Sequence, residues 1–393
     1  MRIEQTELAG RWKSFGHPLW DTPHLTIETN RTCNLRCRCC YTLDKKQVKT
    51  LDEVKGEIEL GLKKRNLETI TLLGGEPTLY PQLTEVIRYI KSKRLKCQLL
   101  TNGQRFLEEK GGELLAGIAA AGVDRILLHV DSGQAHQRGD IESVRRQLFL
   151  KMERARLHFS LSLTIYEQEA GGLPSLLRRY APFRYFDGIL AILHRDPVLP
   201  DLKHPDMGDE QLSLRKELGV EPSAILPSNL EDGSVGWLIY LYYLDSRAGN
   251  AFGLSPKVYN GFVRLHRLAS GRWPFSILQH PAHQRWLFLL SALFEIVAWP
   301  QKLFEVFRFL ERGPLRKALA SLRFHFVVIQ NPPHFNAERN RFEFCFSCPD
   351  ATIRNGKLTP VCLADLINPF PDHVPHSIDW RLYEDVYRHL GEI

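Results

Sequence analysis

Short apolar runs alternate with longer amphipathic segments over the first half of the chain. Continuous apolar runs are typical of buried strands, and apolar residues spaced by three or four positions are typical of helices that pack by one face. The predicted strands are His24–Thr29, Glu68–Leu73, Lys96–Thr101, Asp124–Val130, His158–Ile165 and Gly188–His194. The predicted helices between them lie near Asp52–Lys64, Pro81–Lys93, Glu108–Ala121, Ile141–Arg154 and Leu173–Tyr180. This alternation predicts an α/β fold with a parallel sheet.

The pattern changes after residue 198. Five prolines from Pro197 to Pro227 predict a loop-rich linker. Aromatic runs that we interpret as helices then follow at Val235–Leu244, Pro256–Ala269 and Gln284–Phe309. The last run contains an apolar stretch from Trp286 to Trp299 that is shorter than the roughly 20 residues needed to span a bilayer, and Glu295 lies within it. We therefore expect an amphipathic helix here and not a transmembrane helix.

The middle part of the chain is basic as well as aromatic. Residues 281–330 hold seven Lys and Arg residues and three Glu residues, a net charge of +4, within a chain of formal net charge +7. Arginines among aromatic side chains on helices suit a surface that lies on anionic lipid, or a cover over an apolar substrate channel. The alternative is that the apolar sides of these helices pack on the rest of the protein. No long basic tract of the type that binds nucleic acid is present.

The composition indicates an ordinary globular protein in a reducing compartment. The 393 residues are enough for a large core and for more than one domain. The eight cysteines come without an apolar, signal-like segment at the N-terminus, which predicts a cytoplasmic location. Peripheral contact with the inner face of the membrane stays open, because of the basic and aromatic middle part.

The strongest chemical signal is the segment Thr32–Tyr41. Cys33, Cys37 and Cys40 follow one another there in a C-x3-C-x2-C spacing. Disulfides between such close neighbours would constrain very little of the chain, whereas clustered thiolates bind zinc or iron–sulfur centres. A structural zinc site needs a fourth ligand, for which only Cys39 is nearby. Three cysteines on a [4Fe–4S] cluster would instead leave one iron open for chemistry.

A second motif, Gly-Gly-Glu-Pro, directly follows the second predicted strand. In this order, the cysteine segment and the glycine turn resemble the signature of the radical S-adenosylmethionine (radical SAM) superfamily. The resemblance implies that a [4Fe–4S] cluster is held by Cys33, Cys37 and Cys40. It also implies that the amino group of S-adenosylmethionine (SAM) binds at Gly74, Gly75, Glu76 and Pro77. Glycines would let the backbone approach this ligand, and the glutamate could accept a hydrogen bond from the ammonium group.

The resemblance extends to the fold and to further cofactor contacts. It implies a partial (β/α)6 TIM-like barrel, in which the chemistry lies at the carboxyl ends of the strands. Asn102 follows the third strand and Ser162 lies on the fifth, so both are expected to line the cofactor site. A plain turn at Asn102 and a serine that merely faces the barrel interior are the alternatives. Cys39 stands where the family usually has an aromatic residue beside the adenine, so Tyr41 is expected to supply that ring.

A second group of cysteines lies near the C-terminus. Cys345, Cys348 and Cys362 form a C-x2-C-x13-C pattern around an Asn355-Gly356 sequence that predicts a hairpin turn. The spacing resembles the auxiliary-cluster motif of the molybdenum-cofactor GTP cyclases and, more loosely, of shortened SPASM/Twitch-type enzymes. A second [4Fe–4S] cluster is expected here, with an open iron or a histidine as fourth ligand, and zinc is the alternative. The candidate histidines are His334 and His373.

These features together predict three parts of the chain. Residues 1–198 form the radical SAM partial barrel, residues 199–334 a loop-rich and helical region that faces substrate or membrane, and residues 335–393 a small auxiliary-cluster region. The chain ends without the terminal Gly-Gly of the molybdenum-cofactor cyclases, so we do not expect molybdopterin synthesis.

The resemblance implies a reaction and a partner. SAM would be cleaved reductively to methionine and a 5′-deoxyadenosyl radical, which abstracts hydrogen from an unactivated C–H bond. Flavodoxin or ferredoxin is the implied type of electron donor. The apolar middle region favours a lipid or another hydrophobic substrate. The alternatives are a ribosomal peptide or protein side chain as substrate, for which Met1–Thr22 looks short as a peptide-binding element, and a non-enzymatic metal sensor.

Overall fold

A computed structural model describes most of the chain. The described residues are 22–37, 40, 42, 45–134, 140–194, 205–227, 235–246, 249–276, 283–310, 321–332, 334–336, 341–343, 348–363 and 377–379. Cys39, Tyr41, Cys345 and His373 lie outside the described residues. The interpretations given above for these four side chains therefore stay predictions.

One large sheet organises the described residues. Its strands are β1 (His24–Asn30), β2 (Thr69–Gly74), β3 (Lys96–Thr101), β4 (Arg125–His129), β5 (Phe159–Ile165), β6 (Phe186–Leu193), β7 (Ala224–Pro227), β8 (Val235–Asp245), β9 (Ala251–Gly253) and β10 (Leu322–Gln330). Their order is β1-β2-β3-β4-β5-β6-β10-β8-β7, with β9 paired on β8. β1 to β6 pair in parallel in chain order, which confirms the predicted α/β fold. The described strands form an open path, so the barrel is partial.

Helices connect the parallel strands on one side of the sheet. They are α1 (Leu51–Lys64), α2 (Leu83–Ser92), α3 (Gly111–Ala121), α4 (Ile141–Ala155) and α5 (Leu173–Tyr180). α1 begins with a capping box, in which Glu53 N donates to Thr50 Oγ1 (3.3 Å) and Thr50 N donates to Glu53 Oε2 (2.6 Å). All six predicted strands and five predicted helices overlap the observed elements of the barrel.

The middle region contributes strands as well as helices. Its helices are α6 (Met207–Leu218), α7 (Pro256–Ser270), α8 (Gln284–Ala298) and α9 (Lys302–Leu310). The helix predicted over Val235–Leu244 is wrong, because these residues form β8, antiparallel to β10. The run is apolar or aromatic and buried along almost its whole length, so it has no periodicity that distinguishes a strand from a helix. The boundaries at residues 198 and 334 stay predictions, since β7, β8 and β10 extend the sheet of the barrel.

The helix predicted over Gln284–Phe309 is divided into α8 and α9. Pro300 lies between them and has no backbone N–H to donate. A proline also disfavours the helical conformation of the residue before it, and Trp299 is extended (φ −145°, ψ 91°). The helical prediction is therefore confirmed for each half, and the continuity of the helix is not.

The two faces of the sheet differ in character. Toward α1–α5, Leu25 and Ile27 of β1 are fully buried. Leu25 fits against Gly61 of α1, where an added Cβ would lie 2.3 Å from Leu25 Cδ2. The opposite face, which we call the inner face, carries the alternate and more polar residues of β1. These are His24, Thr26 and Glu28.

A C-terminal hairpin lies along the inner face of β1. Its strands are β13 (Ala351–Arg354) and β14 (Lys357–Pro360); the short strands β11 (His334–Asn336), β12 (Arg341–Glu343) and β15 (Ser377–Asp379) form a separate sheet. Asn355 (φ 47°) and Gly356 (φ 74°) are both left-handed, which confirms the predicted hairpin turn. Thr26 Oγ1 donates to Ala351 O (3.0 Å) and joins the hairpin to β1.

α7, α8 and α9 cover the inner face at its other end. The ring centroids of Phe288 (α8) and Tyr243 (β8) are 5.2 Å apart, and those of Tyr243 and Phe324 (β10) are 5.3 Å apart. The segment after α7 crosses to β3, where Gln98 Nε2 donates to Ser276 Oγ (2.7 Å). No helix in the described part of the chain is long and apolar enough to cross a membrane.

Candidate cofactor site at the carboxyl ends of the strands

The three predicted cluster cysteines belong to one loop between β1 and α1. Arg31 N donates to Gln47 O (2.7 Å), so the two ends of this loop are held together where β1 ends. Cys37 pairs through an isolated β-bridge with Gln134, which follows β4. The cysteine loop therefore reaches from the end of β1 to the end of β4.

The Gly-Gly turn after β2 approaches the backbone of the cysteine loop. Gly75 N donates to Asn30 O (2.8 Å). A Cβ at Gly74, whose φ is +153°, would lie 2.0 Å from Asn30 O, and a Cβ at Gly75 would lie 2.3 Å from both Arg31 O and Thr32 O. Contacts within the protein thus require glycine at both positions. The glycines are therefore explained by contacts within the protein, whereas the sequence pattern led us to expect a close approach to a ligand. Contact with SAM stays a prediction.

Asn30 is a site residue that the sequence motifs did not indicate. Its Nδ2 donates to Thr32 Oγ1 (2.8 Å), Thr32 O (3.0 Å) and Glu76 O (3.1 Å). This side chain, in a residue only 1% exposed, joins the start of the cysteine loop to the turn after β2. The sequence feature that indicates Asn30 is its position, because it is a polar residue that ends a buried strand directly before the cysteines.

Glu76 is buried and bonded to the protein through both carboxylate oxygens. Thr78 Oγ1 (2.6 Å), Thr78 N (3.0 Å) and Thr101 Oγ1 (2.6 Å) donate to Oε1, and Asn102 N (2.8 Å) donates to Oε2. Burial raises the pKa of the carboxyl group, against these hydrogen bonds, which lower it. Pro77 begins the short helix Pro77–Leu79, which Glu76 caps. The carboxylate therefore joins the end of β2 to the end of β3.

Asn102 lies beside the first cysteine, and its contact with a cofactor stays a prediction. Its Nδ2 donates to Asn34 Oδ1 (2.8 Å) and is 4.0 Å from Cys33 Sγ. Its Oδ1 accepts from Gln104 N (2.9 Å), which fixes the orientation of the amide. The next residue, Gly103, is left-handed (φ 72°) and ends the strand in a tight turn. The structure thus brings the ends of β1, β2 and β3 together at Cys33.

The thiol of Cys33 is half-buried in this arrangement. Burial raises its pKa, and the neighbouring Glu76 and Cys40 raise it further. The Leu35 N–H, which donates to Cys33 Sγ (3.4 Å), and the Lys45 ammonium act in the opposite direction. A metal that binds Cys33 must displace this proton, so metal binding at the loop is pH-dependent.

The ends of β4 and β5 add a polar cluster to the site. His129 Nδ1 lies 3.3 Å from Ser162 Oγ, and His129 Nε2 lies 3.3 Å from Asp131 Oδ2. Asp131 also accepts from Gly133 N (2.9 Å) and Thr164 N (3.0 Å), so the carboxylate is fixed. Ser162 is 1% exposed. Its hydroxyl contacts this histidine, and its contact with a cofactor stays a prediction.

The thiols of the cysteine loop fit an iron–sulfur cluster by their chemistry. Within the residues that the structure describes, no three Cys, His, Asp or Glu side chains converge as the ligands of a single metal ion do. The three cysteines of a [4Fe–4S] cluster bind three different irons, so they surround a cube and do not converge on one point. Cys33, Cys37 and Cys40 are all partly exposed, on one loop tied at its base, which suits such a cluster.

The described C-terminal cysteines lie at the opposite end of β1. Cys348 precedes the hairpin and Cys362 follows it, and Val361 N donates to Asp350 O (2.9 Å) at its base. Asp350 Oδ1 lies 3.2 Å from Nδ1 of His24, the first residue of β1. β1 has seven residues, so its two ends are about 20 Å apart at about 3.3 Å per residue. The structure therefore separates the two predicted cysteine sites.

Arg65 holds the C-terminal cysteine segment on the barrel. It caps α1, and its Nη1 donates to His24 O (2.7 Å) and Pro349 O (3.2 Å), while Nη2 donates to Cys348 O (2.9 Å). Burial lowers the pKa of Arg65 to about 10, so the side chain is charged at neutral pH. One buried cation thus fixes three carbonyl groups from two distant parts of the chain.

Comparison with known proteins finds sequence matches over most of the barrel. Residues 27–160 match the family model described as the radical SAM superfamily. A probable GTP 3′,8-cyclase of Methanococcus maripaludis (strain S2) is 30% identical over 187 residues, which cover 44% of this chain and 59% of that protein. A GTP 3′,8-cyclase of Aquifex aeolicus (strain VF5) is 34% identical over 116 residues, 28% of this chain and 35% of that protein. The chain thus spans 59% or less of the length of these two relatives.

Solved structures with some likeness to the chain include anSMEcpe with bound AdoMet and SuiB of Streptococcus suis bound to the precursor peptide SuiA. The first has a TM-score of 0.37 and 18% identity and covers 49% of this chain and 58% of that chain. The second has a TM-score of 0.36 and 15% identity and covers 44% of this chain and 39% of that chain. Since both TM-scores are below 0.5, the similarity to the radical SAM superfamily rests on the sequence matches alone.

Proposed function

We propose that this chain is a radical SAM enzyme that binds SAM and a [4Fe–4S] cluster, because residues 27–160 match the family model of the radical SAM superfamily. Cys33, Cys37 and Cys40 would hold the cluster. When both are bound, the cluster and SAM would supply reductive cleavage of SAM, with one electron from an external donor, to methionine and a 5′-deoxyadenosyl radical that would abstract hydrogen from a C–H bond. The protein supplies binding, orientation and the exclusion of water.

The observation that carries this proposal is the meeting of three strand ends at Cys33. The cysteine loop, the Gly-Gly turn and Asn102 follow three adjacent parallel strands, and hydrogen bonds join all three segments. The carboxyl ends of parallel barrel strands are where such folds place their chemistry. The bonds of Asn30 and Glu76 keep the loop in place before any ligand binds, which reduces the ordering that binding requires.

We assign the contacts of SAM to residues around this loop. The turn at Gly74, Gly75, Glu76 and Pro77 would face the amino group of SAM through its backbone, since the Glu76 carboxylate already accepts four hydrogen bonds from protein groups. Asn102 and Ser162 would line the pocket, and Tyr41 would stack on the adenine.

The C-terminal cysteines form the second part of the proposal. Cys345, Cys348 and Cys362 would hold a second [4Fe–4S] cluster, and zinc with a fourth ligand is the alternative. Cys348 and Cys362 flank the base of the hairpin at the amino end of β1, about 20 Å from Cys33 by the length of the strand.

The middle region of the chain bears on the class of substrate. We infer a lipid or another hydrophobic small molecule, because the outer sides of α7, α8 and α9 expose many apolar side chains, which suits contact with a lipid surface. A peptide or protein side chain is the alternative, and GTP deserves a direct trial because the relatives named above are GTP cyclases. Flavodoxin or ferredoxin would deliver the electron.

Anaerobic assay of SAM cleavage tests the proposal. Reconstituted protein with dithionite and SAM should form 5′-deoxyadenosine, and Cys33→Ala/Cys37→Ala/Cys40→Ala should form none. Cys97→Ala is the matched control, since Cys97 is fully buried in β3 and should keep full activity. Iron binding without SAM binding or cleavage in the wild type would favour the metal-sensor alternative and overturn the enzyme proposal.

A further inference from the structure

A wide apolar surface lies on α7, α8 and α9, outside the site described above. Among the described residues, all the exposed large apolar side chains except Val48, Leu150 and Leu212 lie within residues 265–307. We call this set the apolar face: Leu265, Leu268, Trp286, Leu289, Leu290, Leu293, Phe294, Val297, Trp299, Leu303, Phe304 and Phe307. Folded proteins expose single apolar side chains routinely, whereas a group of this size marks an interaction surface.

α8 is apolar on both of its sides. Trp286, Leu290, Leu293 and Val297 follow one another at spacings of three and four residues, so they lie on one side of the helix. They are 75%, 44%, 57% and 73% exposed. Phe288, on the other side, is fully buried against β8. A helix that only packed on its own protein would carry polar residues on its outer side.

The neighbouring helices continue the apolar face. Phe262 of α7 contacts Phe294 of α8 edge to face, with ring centroids 5.6 Å apart. Leu268 near the end of α7 is 84% exposed, and Phe304 of α9 is 77% exposed. The three helices share one aromatic core on their inner sides, so their outer sides are held together as one surface.

The surroundings of the apolar face are cationic. Residues 256–310 contain seven Lys and Arg residues and two Glu residues, a net charge of +5. Lys257, Arg264 and Arg285 are exposed. Of the two acids, Glu295 is fully buried and accepts from Ser255 N (2.6 Å), so Glu305 is the exposed one within this range. An occupant of the apolar face should therefore be apolar within and negatively charged at its border.

We propose that the apolar face docks on the surface of a membrane that contains anionic lipids. Tryptophan and phenylalanine side chains would enter the region between head groups and acyl chains, while the lysines and arginines contact phosphate groups. Symmetric pairing with a second copy fits less well, because it would oppose two identical cationic borders. The inference concerns this surface and does not depend on the radical chemistry proposed for the barrel.

Cosedimentation of the full chain with vesicles tests the docking. Vesicles of phosphatidylcholine and phosphatidylglycerol in equal parts should bind the protein, vesicles of phosphatidylcholine alone should bind it more weakly, and salt should weaken the difference. Trp286→Gln/Leu293→Gln/Phe304→Gln should reduce binding by roughly tenfold or more. Leu150→Gln/Leu212→Gln is the matched control, because these apolar residues are exposed outside the apolar face and should leave binding unchanged.

Charge reversal tests the cationic border separately. Arg264→Glu/Arg285→Glu should reduce binding to the anionic vesicles by roughly tenfold and leave binding to phosphatidylcholine nearly unchanged. Arg146→Glu/Lys216→Glu is the matched control, since both side chains are exposed elsewhere on the protein. All variants change exposed side chains, so thermal unfolding should match the wild type and exclude a folding defect.

The proposal is overturned if the wild type does not bind anionic vesicles, or if Trp286→Gln/Leu293→Gln/Phe304→Gln binds them as the wild type does. It is also overturned if light scattering shows a dimer that those glutamines dissociate, since a second copy would then occupy the face. SAM cleavage measured without vesicles reports on the barrel, so a failure of the docking proposal and a failure of the enzyme proposal are distinguishable.

Discussion

At the scale of single residues, buried polar side chains hold the candidate site together. The Glu76 carboxylate accepts four hydrogen bonds, two of them from the end of β3, and Asn30 donates three, one of them to the turn after β2. Buried polar groups stabilise only when their partners are in place, so each of these side chains fixes the geometry around it.

Replacing Glu76 by glutamine should destabilise the protein. The amide of Glu76→Gln has one acceptor oxygen and one donor group, so it cannot accept from Asn102 N and from both threonine hydroxyls at once. We expect a loss of about 1–3 kcal/mol in the free energy of unfolding, measured by urea denaturation. Glu113→Gln, on the exposed side of α3, is the control and should change stability very little.

His325 should make stability depend on pH. It is fully buried beside Phe186 and Tyr242, and burial lowers its pKa to about 4. In the unfolded chain its pKa is near 6.5, so between these values the unfolded state binds more protons and stability falls as the pH is lowered. Between pH 7 and pH 5, the free energy of unfolding of His325→Phe should fall by about 2 kcal/mol less than that of the wild type. Equal losses in both would contradict this assignment, and exposed His283→Gln is the control.

At the scale of elements, the barrel could be predicted and the middle region only in part. β1 to β6 are short apolar runs separated by amphipathic segments, so their type follows from the pattern alone. β8 could not be predicted, because it is apolar on both faces and its strand conformation depends on pairing with distant β10. Asn102 was indicated by its place at a strand end, whereas the role of Asn30 depends on contacts that no local pattern encodes.

Gly75 in the turn after β2 can be compared with Gly56 in α1 by substitution with alanine. A Cβ at Gly75 would lie 2.3 Å from two carbonyl oxygens of the cysteine loop, so Gly75→Ala should displace that loop. We expect a loss of at least about 2 kcal/mol in the free energy of unfolding together with reduced iron content. Gly56→Ala, in α1 with no atom within 4 Å of the new Cβ, should gain up to about 1 kcal/mol. Similar effects of the two substitutions would refute the packing role of Gly75.

At the scale of the whole molecule, β1 connects two cysteine sites. Cys33 follows its carboxyl end, and Cys348 is fixed near its amino end by Arg65. The hairpin between Cys348 and Cys362 lies along the inner face, and α7, α8 and α9 cover that face at the far side of the sheet. The two predicted cysteine sites therefore lie at opposite ends of β1, with the hairpin on the inner face between them.

Arg65 should therefore control the C-terminal site without affecting the first. Arg65→Lys keeps the charge but cannot donate to three carbonyl groups as the guanidinium does. We expect the metal of the C-terminal site to be lost or substoichiometric while the iron on the cysteine loop is retained, as measured by metal analysis. Exposed Arg88→Lys in α2 should bind metal as the wild type does. Loss of iron from both sites would instead indicate a general defect of folding.

Anaerobic electron paramagnetic resonance with iron and sulfide analysis on Cys345→Ala/Cys348→Ala/Cys362→Ala tests whether Cys33, Cys37 and Cys40 hold a cluster that binds SAM. This variant should keep about four irons, against about eight in the wild type with two clusters. Its reduced cluster should give a signal that changes when SAM is added, because SAM would bind at the iron that has no cysteine ligand. A variant without iron, or a signal that SAM leaves unchanged, would contradict the assignment of Cys33, Cys37 and Cys40 as the SAM-binding cluster site.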